Sequence, residues 1–171
     1  MQKILKWNAE LAKNLWLEFS TQRLVAMPAL IALVTVLTLS NSSSLDAAME
    51  TLHNVAFGGF IAIGMLWGVK SSAEAITDEY NNKTWDWQKM SVIGPFKLAI
   101  GKLFGSTAYN WYGALICWSI YMLTTGFSDS PSTEFINGIF LIIGTVALHG
   151  MVMLLSLQLI RKSDGRSKIR T

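Results

Sequence analysis

Histidine and cysteine, two residue types that commonly act in catalysis or bind metals, are few in this sequence. Its histidines are His53 and His149, and its single cysteine is Cys117. No HExxH, GxSxG or paired-cysteine pattern occurs, and neither apolar segment beside a histidine contains a carboxylate. The sequence therefore predicts no enzyme activity, no metal and no cofactor. His149 lies near the middle of an apolar segment, where we expect it to form an interhelical hydrogen bond or to line a pathway.

Nucleotide binding through a phosphate-binding loop is also not predicted. The pattern GxxxxGK[ST] is absent, because Gly101-Lys102 lacks the upstream glycine and is followed by Leu103. If the chain moves a substrate against a gradient, the energy must come from a partner.

The chemistry that remains is recognition of a protein by a charged, aromatic-rich insert. Residues 70–102 separate two apolar segments. We expect a helix over 71–80, a break at Asn81-Asn82 and a short helix over 85–92, which Gly94-Pro95 ends. The short helix would present aromatic and apolar side chains with charges around them, as binding hot spots do. The predicted contact residues here are Trp85, Trp87, Lys89 and Met90. In the alternative interpretation, Trp85 and Trp87 only anchor in lipid headgroups.

Apolar segments on both sides of the insert must position it. The sequence predicts an all-α integral membrane protein with an interfacial N-terminal helix, four transmembrane helices and a helical cytoplasmic loop between the second and third. For the N-terminal segment, an ordinary soluble helix is the alternative. The predicted segments are the interfacial helix 2–22, the spans 23–40, 52–69, 103–123 and 135–160, the loop 70–102 and the tail 161–171. Two GxxxG pairs, Gly64 with Gly68 and Gly101 with Gly105, predict close helix packing.

Charge placement predicts the orientation. The net charge is +3, and the 14 Lys and Arg residues fall before or at the inner edge of the first span, in the insert and after the fourth span. By the positive-inside rule, both termini and the insert are cytoplasmic, in a multi-pass protein of the plasma (inner) membrane. Basic residues beside apolar spans are explained by topology and anionic lipid, so no nucleic-acid partner is predicted.

The insert resembles the corresponding loop of type-2 ABC exporter permeases, the membrane subunits of polysaccharide, drug and gliding-motility systems. That family has an elbow helix, two spans and a loop in which a Glu is followed by Gly-Thr, a helix, a Pro and Gly-Lys. The matching residues here are Glu79, Asn82-Lys83-Thr84, Ser91 to Pro95 and Gly101-Lys102. Lys83 replaces the family's Gly, and Gly94-Pro95 replaces its Ser-Pro. Since the family has six spans, the chain is expected to be a reduced permease or the first part of a longer one.

The resemblance implies a function and partners. The loop would be a coupling helix that docks on a cytoplasmic ABC ATPase, with Glu79 and Thr84 among the docking residues, and a second membrane subunit would complete the path as a homodimer or heterodimer. The chain is thus expected to be the permease subunit of an ATP-driven exporter. The alternative is a non-transporting four-helix scaffold that recruits a cytoplasmic partner through the same loop.

Overall fold

The computed structural model describes residues 7–84, 93–127 and 130–169, and this part of the chain is helical without a β-strand. We number its helices in chain order. They are α1 (Ala9–Glu18), α2 (Thr21–Ser40), α3 (Leu45–Phe60), α4 (Gly68–Asn81), α5 (Pro95–Gly105), α6 (Ala108–Thr124) and α7 (Pro131–Ile169). A π-helical segment, Ile61–Trp67, joins α3 to α4, and a 3₁₀ turn, Thr125–Phe127, follows α6.

Three helical stretches in the described residues are long and apolar enough to cross a membrane. They are Thr21–Ser40, Leu45–Asn81 and Pro131–Lys162. Each reaches the roughly 20 residues needed to cross a hydrocarbon core of about 30 Å. These stretches confirm the prediction of an all-α protein with membrane-length apolar helices.

The predicted third span, 103–123, is divided into two helices. A turn at Ser106-Thr107 separates α5 from α6, which has 17 residues. The Ser106 hydroxyl donates to the Lys102 carbonyl and the Thr107 hydroxyl to the Leu103 carbonyl, both at 2.6 Å. Such bonds compete with the regular backbone ladder and bend helices. The four-span arrangement therefore stays a prediction.

The other boundaries differ from the sequence prediction because polar residues begin or extend helices. The N-terminal helix ends at Glu18, and the Ser20 hydroxyl then caps α2 by accepting a hydrogen bond from the Arg23 N–H at 3.3 Å. Ser44 caps α3 in the same way, so the second helical stretch begins at Leu45 instead of residue 52. Helix α7 continues through the predicted tail to Ile169.

The helices form two compact units. The first contains residues 7–18, 69–84, 93–108 and 147–169, and the second contains residues 19–68, 109–127 and 130–146. In the first unit, α1 packs against α5. The core of the second unit consists of buried apolar side chains from α2, α3 and α6, namely Met27, Ile31, Phe60, Ala114 and Cys117.

Candidate functional site

Four charged side chains meet in the first unit, where α1, the end of α4 and α5 come together. The Lys102 ammonium pairs with the Glu79 carboxylate and lies 3.7 Å from Glu10 Oε1. Lys13 Nζ lies 2.8 Å from Glu10 Oε1 and 3.6 Å from Glu79 Oε1. We call Glu10, Lys13, Glu79 and Lys102 the charge cluster.

Because Lys102 and its two carboxylate partners are largely buried, the charge cluster is sensitive to substitution. The side chain of Lys102 is 3% exposed, that of Glu10 is 6% exposed and that of Glu79 is 17% exposed. Removing such groups from water costs several kcal/mol per ion, which the mutual attraction offsets only while every partner is present. The cluster therefore fixes the relative placement of three helices.

Two asparagine side chains, one just before α1 and one within it, add a second set of links to α5. Asn8 Nδ2 donates to the Lys97 carbonyl at 2.6 Å, and Asn14 Nδ2 donates to the Gly101 carbonyl at 3.2 Å. Asn14 also donates to Glu10 Oε1 at 3.2 Å, which joins these links to the charge cluster. Because Asn8 is buried, its hydrogen bonds replace those it would make with water.

Two glycines of α5 allow α1 to approach this closely. A Cβ atom placed on Gly101 would lie 2.9 Å from the backbone nitrogen of Leu11, and one on Gly105 would lie 2.6 Å from Asn14 Cβ. Both distances are shorter than van der Waals contact. The second predicted GxxxG pair thus lies at the contact between α1 and α5.

The end of α4 adopts a glycine-type cap without a glycine. Lys83 has a φ of 58°, in the left-handed region. Its N–H donates to the Tyr80 carbonyl at 3.1 Å, and the Thr84 N–H donates to the Glu79 carbonyl at 3.0 Å. These two bonds are those of a Schellman motif, in which glycine normally occupies the position of Lys83. Lys83 stands where the type-2 exporter pattern has Gly. Its backbone conformation is one that favours Gly.

The predicted docking residues fall partly outside the described chain. Trp85, Trp87, Lys89 and Met90 lie outside the described residues, as does the predicted short helix over 85–92. The Thr84 hydroxyl donates to the Glu79 carbonyl at 3.1 Å. Glu79 belongs to the charge cluster.

The remaining predicted residues are dispersed. Gly64, in the second unit, lies against α6, because a Cβ atom placed on it would be 3.0 Å from Ala114 Cβ. Gly68 is buried at the start of α4. His149 is buried within α7, 1% exposed. The structure thus brings together Glu79, Gly101, Gly105 and Lys102, and it places Gly64, Gly68 and His149 elsewhere.

Sequence reasoning missed the contribution of α1 to this site. It predicted an interfacial N-terminal helix and no site residue on it, whereas Glu10 and Lys13 carry ion pairs inside the first unit. The spacing of Glu10 and Asn14 could have indicated this contribution. The two residues are four positions apart, so they share one face of the helix. Their partners on α4 and α5 are distant in sequence, and local spacing does not reveal such contacts.

Comparison of the chain with protein-family models, curated proteins and solved structures gave no match. A function for this chain must therefore be inferred from its own residues and their geometry.

Proposed function

We propose that this chain is the membrane-spanning permease subunit of a type-2 ABC exporter, which couples ATP hydrolysis by a separate ATPase subunit to substrate movement. The observation that carries the proposal is the ion pair between Glu79 and Lys102. These residues are the first and last charged positions of the exporter-like loop pattern. Their contact closes the base of the loop, as a docking element that transmits force requires.

The charge cluster also offers a route from the loop to the N-terminal helix. Glu79 precedes the docking segment and Lys102 follows it, while Glu10 and Lys13 of α1 contact the same two side chains. A partner that displaces the base of the loop would therefore displace α1 with it. Networks of hydrogen bonds and ion pairs are one means by which coupling is carried between sites, and the cluster and the asparagine links form such a network.

The proposal includes an orientation and two protein partners. Both termini and residues 70–102 face the cytoplasm of a multi-pass plasma-membrane protein, as the placement of Lys and Arg favours. The loop then docks on a cytoplasmic ABC ATPase. A second membrane subunit, identical or different, completes the substrate path within the bilayer.

Co-purification with the ATPase tests this proposal. We expect Trp85→Ala to reduce the amount of ATPase recovered with the tagged chain by about tenfold or more, since truncating an aromatic hot spot costs about 2 kcal/mol. Glu79→Ala should reduce recovery as well, because it opens the base of the loop. The measurement is quantitative mass spectrometry of complexes purified in a nonionic detergent.

Glu74→Ala is the matched control, since Glu74 lies on the same helix, is 48% exposed and pairs with its neighbour Lys70. Recovery with this variant should equal that of the unchanged chain. Unchanged binding and transport in both Trp85→Ala and Glu79→Ala would contradict docking. The scaffold function is indicated instead if a partner binds through the loop but its rate of ATP turnover is the same with the unchanged chain and with loop variants.

A further inference from the structure

The second unit contains a cavity, lined by both polar and apolar side chains, that the proposed docking site does not use. Its volume is about 850 Å³, within the range of small-molecule sites. Its walls come from α3, the π-helical segment, α6 and the first turns of α7. The side chains that matter for recognition are Glu50, His53, Phe57, Tyr121, Glu134 and Phe140.

The carboxylate of Glu134 is held in place at this cavity. The Tyr121 hydroxyl donates to Glu134 Oε2 at 2.6 Å and also lies 3.1 Å from the Glu134 carbonyl oxygen. The His53 ring stacks on the Tyr121 ring with centroids 4.4 Å apart, and His53 Nε2 lies 3.9 Å from Glu134 Oε2. His53 Nδ1 lies 3.1 Å from the Thr124 hydroxyl oxygen, which fixes the ring from its other side.

Apart from the imidazole of His53, the charged groups of the described cavity wall are carboxylates. Glu50 and Glu134 are among its described lining residues, and neither Lys nor Arg is. Phe57, Tyr121 and Phe140 add aromatic rings, whose faces attract cations. A fixed carboxylate beside aromatic rings matches a positively charged group that carries apolar substituents.

We infer that this cavity binds hydrophobic organic cations. A metal ion fits it less well, because the described chain contains no group of three His, Cys, Asp or Glu side chains arranged to hold one. An anion is disfavoured by the two carboxylates.

Two ions of similar shape and opposite charge test this inference. The purified full chain in a nonionic detergent is titrated with tetraphenylphosphonium and, separately, with tetraphenylborate, and binding is measured by equilibrium dialysis. We expect saturable binding of tetraphenylphosphonium and none of tetraphenylborate. Glu134→Gln keeps the size of the side chain and a hydrogen-bond acceptor for Tyr121, but it removes the charge, so the affinity for tetraphenylphosphonium should fall about tenfold.

Glu50→Gln provides a second variant if Glu134→Gln fails to fold, because Glu50 is exposed at the cavity wall. We expect it to weaken binding in the same direction. Glu74→Gln removes the same charge from an exposed position of the first unit and should leave binding unchanged. Equal binding of both ions, no saturable binding, or equal affinity in the unchanged chain and a folded Glu134→Gln or Glu50→Gln variant would overturn the inference. Since the chain is tested alone, these results do not depend on whether an ATPase docks on the loop.

Discussion

Replacing Lys102 by Met is expected to lower the free energy of unfolding by about 3 kcal/mol. The substitution keeps an apolar stem of similar length, but it leaves the carboxylates of Glu10 and Glu79 facing each other without the cation between them. Both carboxylates are largely removed from water. Lys13 remains as a partner, but its side chain is 46% exposed and its attraction is weakened by solvent. Denaturant unfolding of the full chain in mixed micelles, followed by far-ultraviolet circular dichroism, measures the change.

Lys70→Met is the matched control for this prediction. The Lys70 side chain is 68% exposed and pairs with Glu74 one turn along the same helix at 3.4 Å. An exposed pair of this kind contributes about 0.5 kcal/mol or less. A loss with Lys102→Met no larger than that with Lys70→Met would show that the cluster contributes little to stability.

Removal of all three charges should recover part of that loss. In Glu10→Gln/Glu79→Gln/Lys102→Met, no carboxylate of the cluster stays buried without its cation. Replacing a buried ion network by neutral groups is often nearly neutral for stability. We therefore expect the triple variant to be more stable than Lys102→Met alone. This non-additivity distinguishes electrostatic coupling from loss of packing.

Gly101→Ala is expected to destabilise the contact between α1 and α5 by about 2 kcal/mol. The new Cβ atom would lie 2.9 Å from the backbone nitrogen of Leu11 and 2.9 Å from Glu10 Cβ. A backbone atom cannot move aside as the end of a side chain does, so α1 must shift as a whole. That shift would lengthen the Asn14 bond to the Gly101 carbonyl and the contact between Glu10 and Lys102. The same unfolding measurement records the effect.

Gly150→Ala is its control within the first unit. Gly150 lies in α7, and a Cβ atom placed on it would meet no atom within 4 Å. Alanine is also the better helix former by about 1 kcal/mol. We expect no loss of stability from Gly150→Ala. Equal stabilities of the two alanine variants would mean that α1 does not need the space that Gly101 leaves.

The apolar runs of the sequence predicted the class of fold but not where its helices begin and end. Transfer of apolar residues into lipid accounts for the long helices at Thr21–Ser40 and Pro131–Lys162. Helix ends depend instead on caps, which is why Ser44 begins α3 seven residues before the apolar run predicted at 52. The turn at Ser106-Thr107 depends on hydrogen bonds from side-chain hydroxyls to backbone carbonyls. Hydropathy alone does not predict such bonds.

The loop pattern in the sequence predicted part of the candidate site. Glu79, Gly101 and Lys102 were identified by their resemblance to exporter loops, and they meet in the first unit. Glu10 was missed because its partner Lys102 is distant in sequence, and only packing of α1 on α5 brings the two together. The same reason explains His53 and Glu134, which lie on different helices, α3 and α7, and line one cavity. Pattern and spacing report on one helix at a time, whereas these sites are built from several.

Photo-crosslinking from the loop in intact cells tests the central claim most directly. A photoreactive amino acid replaces Trp87, and the covalent products are identified by mass spectrometry after irradiation. Our account predicts that an ATP-binding-cassette subunit in the cytoplasm is the principal product. Products that contain only lipid would contradict the docking function, and products that contain proteins from the opposite side of the membrane would contradict both the orientation and the docking function.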